Sequence, residues 1–158
     1  MQLSKIIIFF LCVSLLWACQ ERPLLEDQQI LEEGYWVHQD TVIFTFAVEE
    51  PLQKHLAHTL RYHRDYRYCN LFIQYALLNA RNDTLAKQRL DESLFDCQTG
   101  RPLGRGIEDW YDQELYLLKN FSFPEAGTYR LLLQHHMRLD TLPHIRSVGF
   151  NLRNASSK

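Results

Sequence analysis

Apolar side chains recur at every second position over most of the chain from Tyr35 onward, and that period admits strands with one buried face and little else. Thr41 to Val48 puts Val42, Phe44, Phe46 and Val48 on one side, and Leu56, His58, Leu60 and Tyr62 share a face of the next segment. Leu71 to Leu78 is apolar on both faces, as an inner strand is. Tyr129, Leu131, Leu133, His135 and Met137 alternate with Arg130, Leu132, Gln134, His136 and Arg138, and Val148, Phe150 and Leu152 alternate in a last strand from Ser147 to Leu152.

Between these strands, Asn79 to Asp83 and Pro124 to Gly127 are turn signals, and the polar stretch Thr84 to Leu94 suits an edge strand with a wet face. Asp96 to Gly106, with three glycines and a proline, reads as a loop; Ile107 to Gln113 as one or two helical turns; Glu114 to Phe121 as a strand. Seven to nine strands without a long helix predict an all-β chain, a β-sandwich of jelly-roll type over residues 35–154, with a flexible C-terminus at 155–158.

Ahead of the sandwich, Lys5, the uncharged run Ile6 to Trp17, small Ala18 and then Cys19 have the form of a lipoprotein signal peptide, residues 1–18, cut before a cysteine that takes lipid. The apolar run is too short for a stable spanning helix. Acyl chains on Cys19 contribute roughly 0.8 kcal/mol per buried CH₂ and hold a protein on a membrane without one. Residues 19–34, rich in Glu, Gln and Asp, read as the lipidated N-terminus and tether, with a short helix at Leu24 to Leu31. Gln20 in place of an aspartate after Cys19 points to the periplasmic face of the outer membrane.

Of seventeen Lys and Arg only Lys5 lies in the leader, so sixteen remain against nineteen Asp and Glu, a balance that lacks the basic footprint nucleic acid requires. Beyond Cys19 the mature chain has Cys69 and Cys97. An exported protein can bridge them, for roughly 3 to 4 kcal/mol of stabilisation, and two buried thiols fit the spacing as well. Neither has a second cysteine near it, so no metal site is expected there.

Side chains suited to catalysis are sparse. No G-x-S-x-G turn occurs, and Glu108 and Asp109 beside Trp110 and Tyr111 are the one suggestive acidic group, read more simply as a solvated loop over packed aromatics. His135 and His136 point to opposite faces of a strand, and His55 and His58 adjoin only on a helix, so each histidine is expected to be structural, with no metal and no cofactor. The interleaved Arg61 to Tyr68 run can stack on sugar rings, but an amphipathic strand ending in a loop accounts for it. Asp40-Thr41-Val42, Asp83-Thr84-Leu85 and Asp140-Thr141-Leu142 share the pattern Asp-Thr-apolar. Turn-then-strand chemistry explains it, and it also resembles the periplasmic O-glycosylation signal of the Bacteroidetes, which would put sugars on Thr41, Thr84 and Thr141.

Taken in order, Tyr66-x-Tyr68-x-Asn70-Leu71-Phe72-Ile73, Leu94-Phe95-Asp96, Gly100-x-Pro102-Leu103-Gly104-x-Gly106, Phe123-Pro124-x-x-Gly127-x-Tyr129, Gln134-x-x-Met137-Arg138 and Leu142-x-x-Ile145-x-x-Val148-Gly149 resemble the GldH family of gliding-motility lipoproteins from Bacteroidetes. Cys69 and the histidines at 135 and 136 depart from that pattern. The resemblance implies a non-enzymatic, membrane-anchored accessory of gliding motility and the associated secretion machinery, working through protein contacts in the cell envelope. It supplies no catalytic residues.

A tethered sandwich works through its surfaces. The loop with Gly100, Arg101, Gly104, Arg105, Gly106, Asp109, Trp110 and Tyr111 is the candidate contact surface, the competing reading being a tight glycine corner. The alternative function is a carbohydrate-binding module with Trp36, Trp110, Tyr66 and Tyr68 as its platform. A hydrolase of envelope polymers has the least support.

Overall fold

The computed structural model describes residues 23–51 and 53–155. The signal peptide, Cys19 and residues 156–158 of the expected C-terminal tail lie outside the described residues. Those described form eleven strands and no helix: β1 (Leu25–Ile30), β2 (Tyr35–Val37), β3 (Val42–Val48), β4 (Gln53–His63), β5 (Asn70–Leu78), β6 (Thr84–Ser93), β7 (Arg105–Ile107), β8 (Trp110–Ser122), β9 (Gly127–His135), β10 (Thr141–Pro143) and β11 (Ile145–Asn154).

A five-stranded sheet, β1-β11-β4-β8-β7, faces a four-stranded sheet, β3-β9-β5-β6, and β10 and β2 pair as a separate two-stranded ribbon packed on the core. Setting the three short strands β2, β7 and β10 aside, the first long strand pairs with the last, the second with the seventh, the third with the sixth and the fourth with the fifth. Every pairing is antiparallel. That nesting is a long hairpin folded over on itself, the wrapping of a jelly roll.

The two-residue period decides which face closes. Strand β3 alternates buried and exposed without exception, and Phe44 and Phe46 meet Phe150 of the opposite sheet at ring-centroid distances of 5.1 and 5.0 Å. Phe123 and Tyr129 extend this aromatic layer, edge to face at 4.9 Å. Trp36 and Leu142 on the ribbon are fully buried, and the Trp36 indole N–H donates to the Asp40 carbonyl at 3.0 Å.

Polar side chains also bridge the two sheets. His58, fully buried on β4, sets Nε2 2.5 Å from Oε2 of Glu92, which is 6% exposed on β6. The Tyr75 hydroxyl on β5 donates to the Leu117 carbonyl on β8 at 3.3 Å. Each satisfies a polar group that would otherwise be buried alone, at a cost of roughly 1–3 kcal/mol for a neutral group.

Two expectations need correction. The stretch Leu24 to Leu31, read as tether with a short helix, contains strand β1, which pairs along its length with β11. All six of its residues are exposed, so no apolar period marks it, and main-chain hydrogen bonds to β11 hold it. Likewise Ile107 to Gln113 forms no helical turn: Ile107 ends β7, Glu108 and Asp109 make a tight turn, and Trp110 opens β8. Glu108 carries a positive φ of 61°, a conformation that closes a hairpin and that no helix uses.

Candidate functional site

The candidate contact residues gather at one end of the sandwich, around the segment from Leu94 to Trp110. Main-chain pairing shapes its first half: Leu94 and Phe95 donate to the Cys69 carbonyl at 2.8 and 3.0 Å, and Leu103 returns to donate to the Leu94 carbonyl at 2.9 Å. Cys69 and Cys97 are joined by a disulfide across the base of the β5–β6 hairpin. Within the loop the Asp96 carboxylate accepts from the amides of Gln98 and Thr99, both at 2.9 Å. These bonds hold its carboxyl below the usual carboxylate range.

The buried Tyr62 hydroxyl fastens the loop to β4. It donates to the Leu94 carbonyl at 2.8 Å and accepts from the Gly104 amide at 3.0 Å. Gln113 on β8 adds a further tie, its amide nitrogen donating to the Ser93 carbonyl at 2.9 Å. Gly106 then runs so close to β8 that a Cβ there would collide with the Trp110 carbonyl oxygen. The tight-corner reading fits Gly100, which has a φ of +68° and open space around it, whereas Gly104 and Gly106 are close-approach glycines.

At the β7–β8 turn, Ile107 is 85% exposed, an unusual position for a large aliphatic side chain. Trp110 behind it is half-buried, its ring meeting His63 at 4.7 Å on one side and the Arg146 guanidinium at 5.4 Å on another. Asp109 is paired with Arg64 at 2.9 Å, and Tyr111 packs against Tyr62 at 5.9 Å. Arg101 and Arg105 are exposed. Arg105 and Gly104 border a groove of about 630 Å³ on the outer face of the five-stranded sheet. Its charges largely compensate one another, as in Arg61–Asp112 at 3.5 Å and Arg153–Glu114 at 2.7 Å.

The glycan platform drawn from the sequence is not assembled. Trp36 is fully buried and Tyr66 is 5% exposed, both inside the core, so they present no face to a sugar. Tyr68 and Trp110 remain half-buried and belong to different parts of this end. Glu108 and Asp109 sit on the exposed turn.

The histidines divide by strand face as their numbering requires. His58 points inward and His55 outward against Tyr116, at 5.6 Å. His135 is fully buried and its Nε2 faces the Trp36 carbonyl at 3.0 Å; burial, with His38 adjacent, pushes its pKa down to about 4. His136 lies on the outer face, and His38 meets both rings, at 5.2 and 5.5 Å. Among the described residues no His, Cys, Asp and Glu side chains are grouped so as to hold a metal ion. Thr41, Thr84 and Thr141 are all exposed, at the mouths of β3, β6 and β10.

Together these features define an all-β domain of jelly-roll topology. A family model described as "GldH lipoprotein" matches residues 24–152. The chain belongs to the GldH lipoprotein family, which associates it with the cell envelope and with gliding motility. The gliding motility lipoprotein GldH homolog of Christiangramia forsetii is 25% identical over 166 residues, covering 97% of this chain and 97% of that one. Among solved structures, one described as "CBM4 structure and function" aligns with a TM-score of 0.32 and 9% identity over 78% of this chain and 75% of the other. The infectious bursal virus-derived T=1 particle aligns at 0.42 and 11%, over 85% of this chain and 32% of that one. Likeness at that level carries no argument about function.

Proposed function

We propose that this protein is a non-enzymatic lipoprotein, anchored through Cys19 on the periplasmic side of the outer membrane, that supports gliding motility and its associated secretion machinery by protein contact. The β7–β8 turn makes that contact, and the observation that carries the reading is the exposure of Ile107 on a rigid support. A large aliphatic residue at the tip of a hairpin loses solvent when a partner covers it, gaining roughly 1.5–3 kcal/mol for full burial. Little ordering entropy offsets that gain, because the supporting loop is already tied down by the disulfide, the Asp96 cap and the Tyr62 hydroxyl. Half-buried Trp110 beside it and exposed Arg105 supply the residue types that dominate contact energies.

A photoreactive residue placed at position 107 in the native host is expected to capture an envelope protein, and the same residue at Ile43, also exposed but on the outer face of β3, is expected not to. Equal capture at both positions, together with full complementation of a deletion by Ile107→Asp, overturns the assignment of the turn. Unchanged spreading and secretion in the deletion strain overturns the role itself.

A further inference from the structure

On the outer face of the four-stranded sheet, at the same end as the β7–β8 turn, a cleft of about 450 Å³ lies between β5, β6 and the chain leaving β9. Tyr68, Phe72 and Met137 give it apolar walls, while Arg89, Arg138 and His136 line it with nitrogen. We infer that this cleft binds an acidic sugar unit of an envelope glycan, its ring against Tyr68 and Phe72 and its carboxylate between Arg89 and Arg138.

Register explains how these residues meet. Gln74 of β5 stands opposite both Arg89 of β6 and Gln134 of β9, so all three side chains share the outer face, and Phe72 follows two residues earlier on the same side. The chain beyond β9 stays attached to β5, the His136 amide donating to the Phe72 carbonyl at 2.7 Å and the Phe72 amide donating to the Met137 sulfur at 3.3 Å. Those two bonds fix His136, Met137 and Arg138 along one wall instead of leaving them on a loose connection.

Positive charge predominates. Arg89 and Arg138 are exposed and take part in no ion pair among the described residues, and Lys87 extends the same row on β6. One acid faces this region, Asp91 beside Arg89 on β6, which accepts from the Asn70 side-chain amide at 2.5 Å and keeps its charge; the three cations Arg89, Arg138 and Lys87 stand against it. His136 is held below its ordinary pKa by burial first and then by the positive charges of His38, Arg89 and Lys87, and its Nε2, screened from solvent, has no hydrogen-bond partner. An arriving anion would relieve that repulsion and accept paired N–H bonds from guanidinium, whose planar fork matches a carboxylate.

Size and wall chemistry select the rest of the ligand. A cavity of this volume falls within the range of small-ligand sites, and its apolar walls suit the C–H face of a sugar ring better than a bare inorganic anion. The two demands together describe a hexuronate. The cleft is separate from the Ile107 turn, so loss of either function leaves the other measurable.

The test titrates the full-length protein, purified in detergent, with a hexuronate oligosaccharide, its neutral hexose counterpart, inorganic phosphate and a Glu-rich peptide, by calorimetry at low and high salt. The uronate is expected to bind at least about tenfold more tightly than the other three, to weaken with salt, and to lose about tenfold or more in Arg89→Ala and Arg138→Ala. Lys119→Ala, which removes a cation on a different sheet, is expected to bind as wild type. Equal binding of the neutral sugar, of phosphate or of the peptide, no binding of the uronate, or unchanged affinity in both arginine variants when their melting temperatures match wild type would each overturn the inference.

Discussion

Replacing His58 with leucine leaves the Glu92 carboxylate, only 6% exposed, between two sheets without the imidazole that stands 2.5 Å from it. Removing one partner of a buried pair costs about 3–5 kcal/mol, because the group left behind keeps its desolvation penalty and loses its compensation. Replacing Glu92 with methionine leaves an imidazole without its partner, at the penalty of an unpaired buried polar group, about 1–3 kcal/mol. Making both changes removes the polar atoms and keeps the volume. The double variant should then lie within about 1 kcal/mol of wild type or exceed it, as buried pairs exchanged for apolar groups commonly do. Urea unfolding followed by the fluorescence of fully buried Trp36 measures all four proteins. In thermal terms His58→Leu should lower the melting temperature by about 6–20 °C and the double variant should recover most of it. If the two single costs simply add in the double variant, to within about 0.5 kcal/mol, the groups are not coupled and the reasoning fails.

Reducing the Cys69–Cys97 bridge, which spans 28 positions, or replacing Cys69 with serine, should destabilise by about 3–4 kcal/mol in the chain-entropy model, read as a lower urea midpoint in reductant. An unchanged midpoint means no bridge forms in the cell. His135, fully buried with its pKa pushed down to about 4, makes the unfolded chain the better proton acceptor between that value and the ordinary 6.5. Its contribution is therefore complete above pH 6.5 and lost as pH falls toward 4; His135→Gln should flatten that part of the stability profile, and an unaltered slope would refute the assignment. Sugars on exposed Thr41, Thr84 and Thr141 should raise the intact mass of the protein from its native host by a repeating increment, one copy of which each Thr→Val change removes. A mass equal to the bare lipidated chain contradicts all three.

The long strands were legible because their side chains obey a single rule. Val42, Phe44, Phe46 and Val48 all point into the core, and so do Tyr129, Leu131, Leu133, His135 and Met137, since burial of one sheet face writes itself into alternate residues. Strand β1 left no such trace, because an edge strand with both faces wet is specified by its partner's main chain and not by its own side chains. The glycine-rich loop was visible in the sequence, but only the structure distinguishes the positive φ of Gly100 from the close approach of Gly106. Long-range chemistry was invisible for a different reason. His58 and Glu92 are 34 positions apart, and Arg89 lies on β6 while Arg138 lies on the chain beyond β9, so no local spacing announces either pair. Conversely Trp36 and Tyr66 looked like ligand platforms from composition and proved to be core, the usual fate of aromatics in a sandwich.

Strand β1 also bears on how the domain is presented. Leu25 pairs with Leu152, which pairs with Leu56, so the chain enters the sheet at the end where β4 begins, while Trp110 pairs with His63 at the end where β4 finishes. Entry opposite Leu56 and the turn opposite His63 therefore lie seven residues apart along β4, about 23 Å. A lipid anchor at Cys19 would have only residues 20–24 as its leash, at most about 17 Å of extended chain, because β1 consumes the stretch that the sequence offered as tether. If Cys19 is lipidated as proposed, so short a leash attached at one end of the sandwich would turn that end toward the bilayer. The Ile107 turn and the arginine-lined cleft, both at the opposite end, would then face away from the membrane, open together to the proposed protein partner and the proposed glycan.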